Sequence, residues 1–446
     1  MPQPACASPP HPGPQDDRGT VVRIAVFGLG YVGFTAACCL ASQGHTVVGI
    51  DVSAAKVEDV NAGTALFEEP GIDAMMQAQR AAGRLSATTS AAQALAGADV
   101  AIVCVGTPSG PDGAHDMRYI IEVSRQIATA LADAGAGRGG DRITVAYRST
   151  MRPGSIRKLI APIFEARLGA GWRDRVELVY NPEFLREAQA IHDFFHPPKI
   201  VIGTWDAEPS PTMAALNRGI EAPVFVTGFE EAELTKFVDN AWHATKVVFA
   251  NEIGRICRLL GVSAETAHAI FVADTKLNIS AQYLRPGGAF GGSCLPKDVR
   301  ALQHIAADIG AQPYLLDSLL RSNEAHKNHL FQHAIAGLAP GSRVLVAGLA
   351  FKAGTDDLRE SPNVDLVRKL IEAGMAVSVF DPGLDPSKLR GQNLGYAYAH
   401  LPTIDTLLIG RAAAEAGPWD RVIATNATAR GLDLSPFPVV ETHTIR

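Results

Sequence analysis

No apolar run in the 446 residues approaches the length of a membrane-spanning helix, and the first twenty residues lack the apolar centre of a signal peptide. These absences exclude a helical membrane span and predict a cytoplasmic chain. Positive charge is also in short supply, with 40 Lys and Arg against 46 Asp and Glu and a formal net charge of -6. That balance gives no generic attraction to nucleic acid or to an anionic membrane, so a phosphate-bearing ligand must be held by local groups. Cysteine is sparse and scattered. Cys6, Cys38, Cys39, Cys104, Cys257 and Cys294 form no C-x-x-C pair and no Cys/His cluster at zinc spacing, which excludes a disulfide framework and a structural metal.

What the chain does have is apolar content, 47% hydrophobic against 19% charged, over a length that accommodates two or three globular domains. Residues 1–20 place six prolines in the first fourteen positions with almost nothing to bury, and read as a disordered tail. The next stretch, VVRIAVFGLGYVGFTAACCLASQGHTVVGID, reads as strand, glycine turn, helix and second strand. Gly28, Gly30 and Gly33 form G-x-G-x-x-G where the strand passes into the helix, the arrangement that lets a pyrophosphate approach the backbone at a helix N-terminus. Asp51, at the end of the second strand, can accept the adenosine ribose hydroxyls and would repel a 2′-phosphate, which favours NAD over NADP. Cys38 and Cys39 fall on the helix and read as core.

Strand-like runs continue at 98–108, 141–150, 176–185 and 199–204, alternating with amphipathic helices as a parallel doubly wound sheet requires. Ligands in such sheets bind beyond the carboxyl ends of the strands, so Thr107, Thr150, Glu183 and Glu187 are expected along one crevice, although a cap or turn role is the better explanation of any single Thr or Glu. From about Glu230 to Leu260 the chain reads as one long helix in which Lys236, Asn240 and His243 share a face, with Asn251 two turns further on. Its apolar residues Trp242, Val247, Val248 and Phe249 leave little surface to be merely solvated.

The stretch GGAFGGSCLPKD, 287–298, has four glycines in six positions. Missing side chains there admit a ligand or another segment's backbone. Cys294 then stands at the start of a predicted helix, where free N–H groups, the helix dipole and Lys297 favour a thiolate. A small buried residue in a glycine-rich turn is the competing reading, since free cysteines are commonly buried. After further helices to about residue 337, the α/β pattern restarts: strand RVLVAGLAF, loop KAGTDDLRESP, a helix from Pro362, strand AVSVFDP, and later strands around TLLIG, DRVIAT and PVVE. This second Rossmann-like segment lacks G-x-G-x-x-G, so nucleotide binding there falls to side chains, with Lys352 and Arg359 the evident cations.

Taken together, GLGYVG, EEPG at 68–71, CVGTP, RST, NPEFLRE, NAWHATKVVFANE, GGSCLPKD and GLAFKAGTDDLRESP resemble the UDP-glucose/GDP-mannose dehydrogenase family in order and spacing over about residues 22–382. The resemblance implies an α/β fold of two Rossmann-like doubly wound domains joined by a long central helix: an NAD-binding domain at 21–225, a helical dimerisation region at 226–337 and a nucleotide-sugar domain at 338–446. It implies a homodimer with shared active sites. The implied reaction oxidises the C6 alcohol of a nucleotide sugar to a carboxylate with two NAD, supplying an alginate-type polysaccharide. Carried over residue by residue, Cys294 is the nucleophile, Lys236 and Asn240 stabilise an oxyanion, Asp298 and Thr150 order a water, and Glu183 serves the hydrolytic step. For the cofactor the resemblance adds Tyr31, Val32, Lys56, Thr107, Lys297 and Arg359 to the glycines and Asp51. For the nucleotide sugar it implies Glu187, His243, Asn251, Asn278, Tyr283, Arg285, Gly288 and Lys352. His243 after Asn240, together with FKAGTDD, follows the members of the family that act on GDP-mannose; a uracil nucleotide sugar and a silent binding protein are the alternatives. The chain beyond about residue 383 departs from the family pattern.

Overall fold

The structure is a computed structural model that describes residues 21–108, 115–134, 142–186, 188–280, 287–292, 295–389 and 391–442. The proline-rich segment 1–20 lies outside the described residues. The chain divides into two compact units, one ending at Trp242 and the other beginning at His243.

Eight strands form the sheet of the first unit: β1 (Arg23–Phe27), β2 (Thr46–Ile50), β3 (Leu85–Thr88), β4 (Val100–Val103), β5 (Ile143–Tyr147), β6 (Val176–Tyr180), β7 (Ile200–Thr204) and β8 (Val224–Gly228). Their order is β3-β2-β1-β4-β5-β6-β7-β8. The central strands carry no polar alternation because helices cover both faces. Ala25 and Phe27 of β1 pack with Val103, Val145 and Phe164 on one side, while Ile24 and Val26 pack with Phe34, Leu40 and Met76 on the other. Each fully buried side chain of this size contributes about 1.5–3 kcal/mol, so the apolar runs alone specify a sandwiched sheet.

The sheet is parallel except at one seam, where β6 and β7 meet antiparallel through Tyr180 and Gly203. This corrects the expectation of an all-parallel sheet. A parallel return needs a helix long enough to carry the chain back along the strand. Between β6 and β7 the only helix among the described residues is Ala190–Phe195, whose six residues rise about 9 Å. The chain therefore enters β7 from the carboxyl end of β6 and runs back beside it.

The helix Phe229–Leu260 follows β8, and the helices Ala264–Ala273, Leu295–Asp308 and Tyr314–Ile335 follow it. The second unit then builds a parallel sheet of β9 (Arg343–Ala347), β10 (Ala376–Phe380), β11 (Arg421–Ala424) and β12 (Val439–Glu441), in the order β10-β9-β11-β12. The stretch TLLIG, expected as a strand, instead ends a short helix, Ile404–Leu407, with Leu408 making a single bridge to Val379. Leu401, Ile404, Leu407 and Leu408 recur at three and four residues and all reach the core under the sheet, a helical rather than an alternating pattern.

One local device occurs in both units. After β1, Gly28 takes φ +89°, its N–H bonds to the Ile50 carbonyl, and the Leu29 N–H bonds to Oδ2 of Asp51 at 2.9 Å. After β9, Gly348 takes φ +106°, its N–H bonds to the Phe380 carbonyl, and the N–H groups of Leu349 and Ala350 bond to Oδ2 of Asp381 at 2.8 and 2.9 Å. The first turn leads directly into the helix Tyr31–Ser42, whereas the second is followed by a loop and a helix only at Pro362–Glu372.

Candidate functional site

The glycine turn of the first unit is shaped from three directions. A Cβ on Gly28 would press on the backbone of Val105, and one on Gly33 would overlap the Gly28 carbonyl oxygen, so these two glycines let strand and helix close on each other. Gly30 differs: a Cβ there meets nothing within 4 Å, and the space above it is open to a ligand. Asp51 accepts N–H groups from Leu29 and Ser53 and pairs with the Lys56 ammonium at 3.3 Å. Burial works to raise its carboxyl, but those two N–H groups and Lys56 outweigh it and hold the group below its ordinary value, ionised. Tyr31 and Val32 open the helix half-buried, and the Tyr31 hydroxyl donates to Oε2 of Glu69 at 2.6 Å.

Beyond the carboxyl ends of β4, β5 and β6 a second group assembles. The Thr107 hydroxyl donates to the Thr150 carbonyl at 2.9 Å, tying the RST segment to the GTP segment. Lys236, on the long helix, donates from Nζ to the Glu183 carbonyl at 2.8 Å and to Oε1 at 2.9 Å, and both side chains are largely buried. Oε2 of Glu183 accepts the Leu185 N–H. A partly dehydrated ammonium fixed by two acceptors is a preorganised positive charge, the kind of group that stabilises a developing oxyanion. Asn240, one turn further on, is exposed, as are His243 and Asn251 on the same helix.

Two buried acids that sequence reasoning passed over hold this arrangement together. Glu69 is 5% exposed and accepts the N–H groups of Ala188 and Ala190 besides the Tyr31 hydroxyl, so it ties the NPEFLRE segment to the start of the nucleotide helix. Glu233, fully buried one turn before Lys236, accepts the N–H groups of Gly154 and Ile156, just beyond Thr150. The EEPG stretch carried the only sequence signal for Glu69; nothing in EEAE distinguishes Glu233 from its exposed neighbour Glu231.

In the second unit the helix Leu295–Asp308 begins at the residue after Cys294. Lys297 and Asp298 are exposed and paired at 2.5 Å. The glycine loop before it is pinned by the helix Tyr314–Ile335. Asn323 exchanges two hydrogen bonds with the backbone of Phe290, at 2.9 Å each, and Nε2 of His326 bonds to the Gly287 carbonyl at 2.7 Å. Gly288 in that loop is exposed. The Arg359 guanidinium is paired bidentately with Asp357 at 2.9 and 3.0 Å, Lys352 is exposed beside the Phe351 ring, and the Asn278 amide donates to the Phe271 carbonyl. Cys294, Glu187, Tyr283 and Arg285 lie outside the described residues. Burial pushes the thiols of Cys38 and Cys104 up to about 12, so neither is a nucleophile at neutral pH.

Family comparisons follow this layout. The model of the UDP-glucose/GDP-mannose dehydrogenase family matches with its NAD binding domain over residues 22–220, its central domain over 230–325 and its UDP binding domain over 345–422. The chain belongs to the UDP-glucose/GDP-mannose dehydrogenase family. Among relatives in that family, it is 42% identical to a GDP-mannose 6-dehydrogenase of Pseudomonas putida, over 87% of both chains. It is 34% identical to a UDP-glucose 6-dehydrogenase of Bacillus subtilis, over 81% of this chain and 80% of that one. A crystal structure of a ternary complex of GDP-mannose dehydrogenase from Pseudomonas aeruginosa superposes with a TM-score of 0.87 at 38% identity, covering 94% of this chain and 96% of that one. As a member of this family the chain is an oxidoreductase with NAD as its cofactor. Its residues fit that cofactor, because the open space above Gly30 and the ionised Asp51 stand where a pyrophosphate and a ribose diol need them. Among the described residues no helix is long and apolar enough to cross a membrane.

Proposed function

We propose that the chain oxidises the C6 alcohol of GDP-mannose to the carboxylate of GDP-mannuronate in two successive steps at one site. The observation that carries this reading is the Lys236–Glu183 pair at the carboxyl end of β6, a buried ammonium fixed at the ligand edge of the NAD-binding sheet. Bound NAD supplies a hydride acceptor, one for each step. Lys236 and Asn240 stabilise the negative oxygen that forms as the C6 hydroxyl gives up its proton to a water ordered by Thr150 and Asp298, while C6 itself gives up the first hydride. The resulting aldehyde is held by addition of the Cys294 thiolate to its carbon, giving a thiohemiacetal. Loss of the second hydride turns that adduct into a thioester, and water, directed by Glu183, replaces sulfur and releases the carboxylate. Tyr31, Val32, Asp51, Lys56, Thr107, Lys297 and Arg359 serve the cofactor. Glu187, His243, Asn251, Asn278, Tyr283, Arg285, Gly288 and Lys352 serve the nucleotide sugar.

The same reading divides the chain into an NAD-binding domain at 21–225, a helical dimerisation region at 226–337 and a nucleotide-sugar domain at 338–446. A homodimer is supported by the apolar residues Val238, Trp242, Val247, Val248, Ile270 and Phe271, all exposed in the single chain. The product would supply an alginate-type polysaccharide.

The test is an assay of GDP-mannose and UDP-glucose in parallel, counting NADH per sugar consumed. GDP-mannose should give two NADH at the higher kcat/KM, and missing pocket hydrogen bonds should cost the uracil sugar orders of magnitude. A higher kcat/KM for UDP-glucose would transfer the chain to the UDP-glucose side of the family, and no turnover of either would remove the enzymatic reading. Cys294→Ser should release at most one NADH per sugar in a single turnover.

A further inference from the structure

The antiparallel seam brings one more side chain to the ligand edge of the first sheet. Tyr180, the last residue of β6, pairs with Gly203, the fourth residue of β7, so the opening residues of β7 extend past the carboxyl end of β6. Lys199, directly before β7, therefore stands beside the turn that carries Glu183 and Phe184. Had β7 run parallel to β6, its start would lie at the opposite edge of the sheet.

Two ion pairs cross from this edge to the helix Phe229–Leu260. Lys236 binds Glu183, and Asp239 receives the Lys199 ammonium on both oxygens, Oδ1 at 2.9 Å and Oδ2 at 2.7 Å. The half-buried Phe184 ring serves both cations, its centroid 4.9 Å from Nζ of Lys199 and 5.8 Å from Nζ of Lys236, each within the roughly 6 Å over which a ring attracts an ammonium. Lys199 and Asp239 are 27% and 26% exposed, so solvent screens their pair and its contribution to stability is small. The spacing on the helix gives the pair a different use. Lys236 and Asp239 are three positions apart, near enough on one helix face for a direct ion pair. Asp239 is thus a competitor for the very ammonium that Glu183 holds. Lys199 occupies it instead.

We propose that Lys199 is a positioning residue, which by neutralising Asp239 keeps the Lys236 ammonium on Glu183 at the ligand edge. The proposal rests on the reading of Lys236 as a group that stabilises the negative oxygen. Without the charge of Lys199, the Asp239 carboxylate draws Lys236 along the helix, and the site is competent only for the fraction of time that Lys236 spends on Glu183. Removing the Asp239 charge as well removes the competitor. A second substitution therefore restores what the first takes away.

Lys199→Met keeps the apolar stem and removes the ammonium, Lys199→Gln repeats that loss with a polar side chain in case Met disturbs the fold, and Lys199→Arg keeps the charge. The decisive protein is Lys199→Met combined with Asp239→Asn. Steady-state NADH formation from GDP-mannose is measured for each, with thermal unfolding to verify the fold and fluorescence titration to follow NAD binding. For Lys199→Met and Lys199→Gln kcat should fall about tenfold, the value for an ammonium that spends about nine-tenths of its time on Asp239. KM and NAD affinity should stay within about twofold of wild type, because the oxyanion exists only during the reaction. The double variant and Lys199→Arg should both return to within about threefold of wild type. A pair that serves the fold alone gives the opposite order, with the double variant no faster than the single one. That order, or a wild-type kcat in Lys199→Met and Lys199→Gln, overturns the proposal. Lys236→Ala separates the two layers: a wild-type kcat there removes the oxyanion reading itself, whereas a slow Lys236→Ala beside a wild-type Lys199→Met removes only the role of Lys199. Wild-type protein that turns over neither GDP-mannose nor UDP-glucose removes both.

Discussion

Replacing Glu233 by Gln should change how the stability of the protein responds to pH. Glu233 is fully buried on the long helix and holds Gly154 and Ile156 by their N–H groups. Burial pushes its carboxyl up to about 7 from an ordinary 4.5, against the pull of those N–H groups and with help from the neighbouring Glu230 carboxylate. The folded state therefore keeps a proton that the unfolded chain has already lost. The stability from this group is full below about pH 4.5 and is lost as pH rises through about 7. A displacement of that size corresponds to on the order of 3 kcal/mol. For a unit of this size that is roughly 6–12 °C in Tm. Gln keeps one acceptor but cannot titrate. Thermal unfolding of both proteins from pH 5 to pH 8 should show the wild type's advantage shrinking by that amount and levelling off above about pH 7.5. Parallel curves, with a constant gap across the range, would refute the assignment of a buried proton to Glu233.

Further expectations rest on other contacts. Lys236→Ala leaves the Glu183 carboxylate without its partner and removes the fixed ammonium, and kcat should fall by about 100-fold or more with GDP-mannose in a steady-state assay. Asp51→Asn removes the charge that repels a 2′-phosphate, so the ratio of kcat/KM for NAD over NADP should narrow by about tenfold or more; an unchanged ratio would place discrimination elsewhere. Gly33→Ala should weaken NAD binding, followed by fluorescence titration, because its Cβ would overlap the Gly28 carbonyl oxygen and force helix and turn apart. Mixing inactive Arg285→Ala with inactive Cys294→Ala should restore part of the activity if the dimer shares its sites, and no recovery after verified subunit exchange would count against sharing.

The central strands and the glycine turn were legible because their signals are local: unbroken apolar runs for β1, β4 and β5, and a fixed glycine spacing. The edges were not. β3 offers only LSAT, and Val224 and Phe225 of β8 are each 54% exposed, so neither strand has the buried signature of its neighbours. TLLIG misled because its apolar spacing is helical once Leu401 and Ile404 are counted with it. The antiparallel seam depends on the length of one connecting helix, which no residue pattern announces. Lys236 and Glu183 could each be named in advance, but their pairing, 53 residues apart, belongs to the fold. Glu69 and Glu233 both sit beside other acids in the sequence, and only packing decides which acid turns inward.

The turn found after both β1 and β9 gives each glycine of a nucleotide fingerprint a separate owner. The two turns agree in their left-handed first glycine, in the leucine after it and in the aspartate that receives the leucine N–H. Those features recur where the fingerprint is broken, so they are property of the fold, a hinge pin that any strand-turn-strand crossing of this kind reuses. Gly33 has no counterpart because the second turn is not followed at once by a helix that must pack on it. At the position of Gly30 the second turn has Ala350, and of the three glycines Gly30 alone guards empty space. Two copies in one polypeptide thus work as an experiment already performed, with one arm as its own control. A search of genomes keyed to the first glycine and the distant acid would collect scaffolds, and one keyed to the middle glycine would collect sites built for a diphosphate.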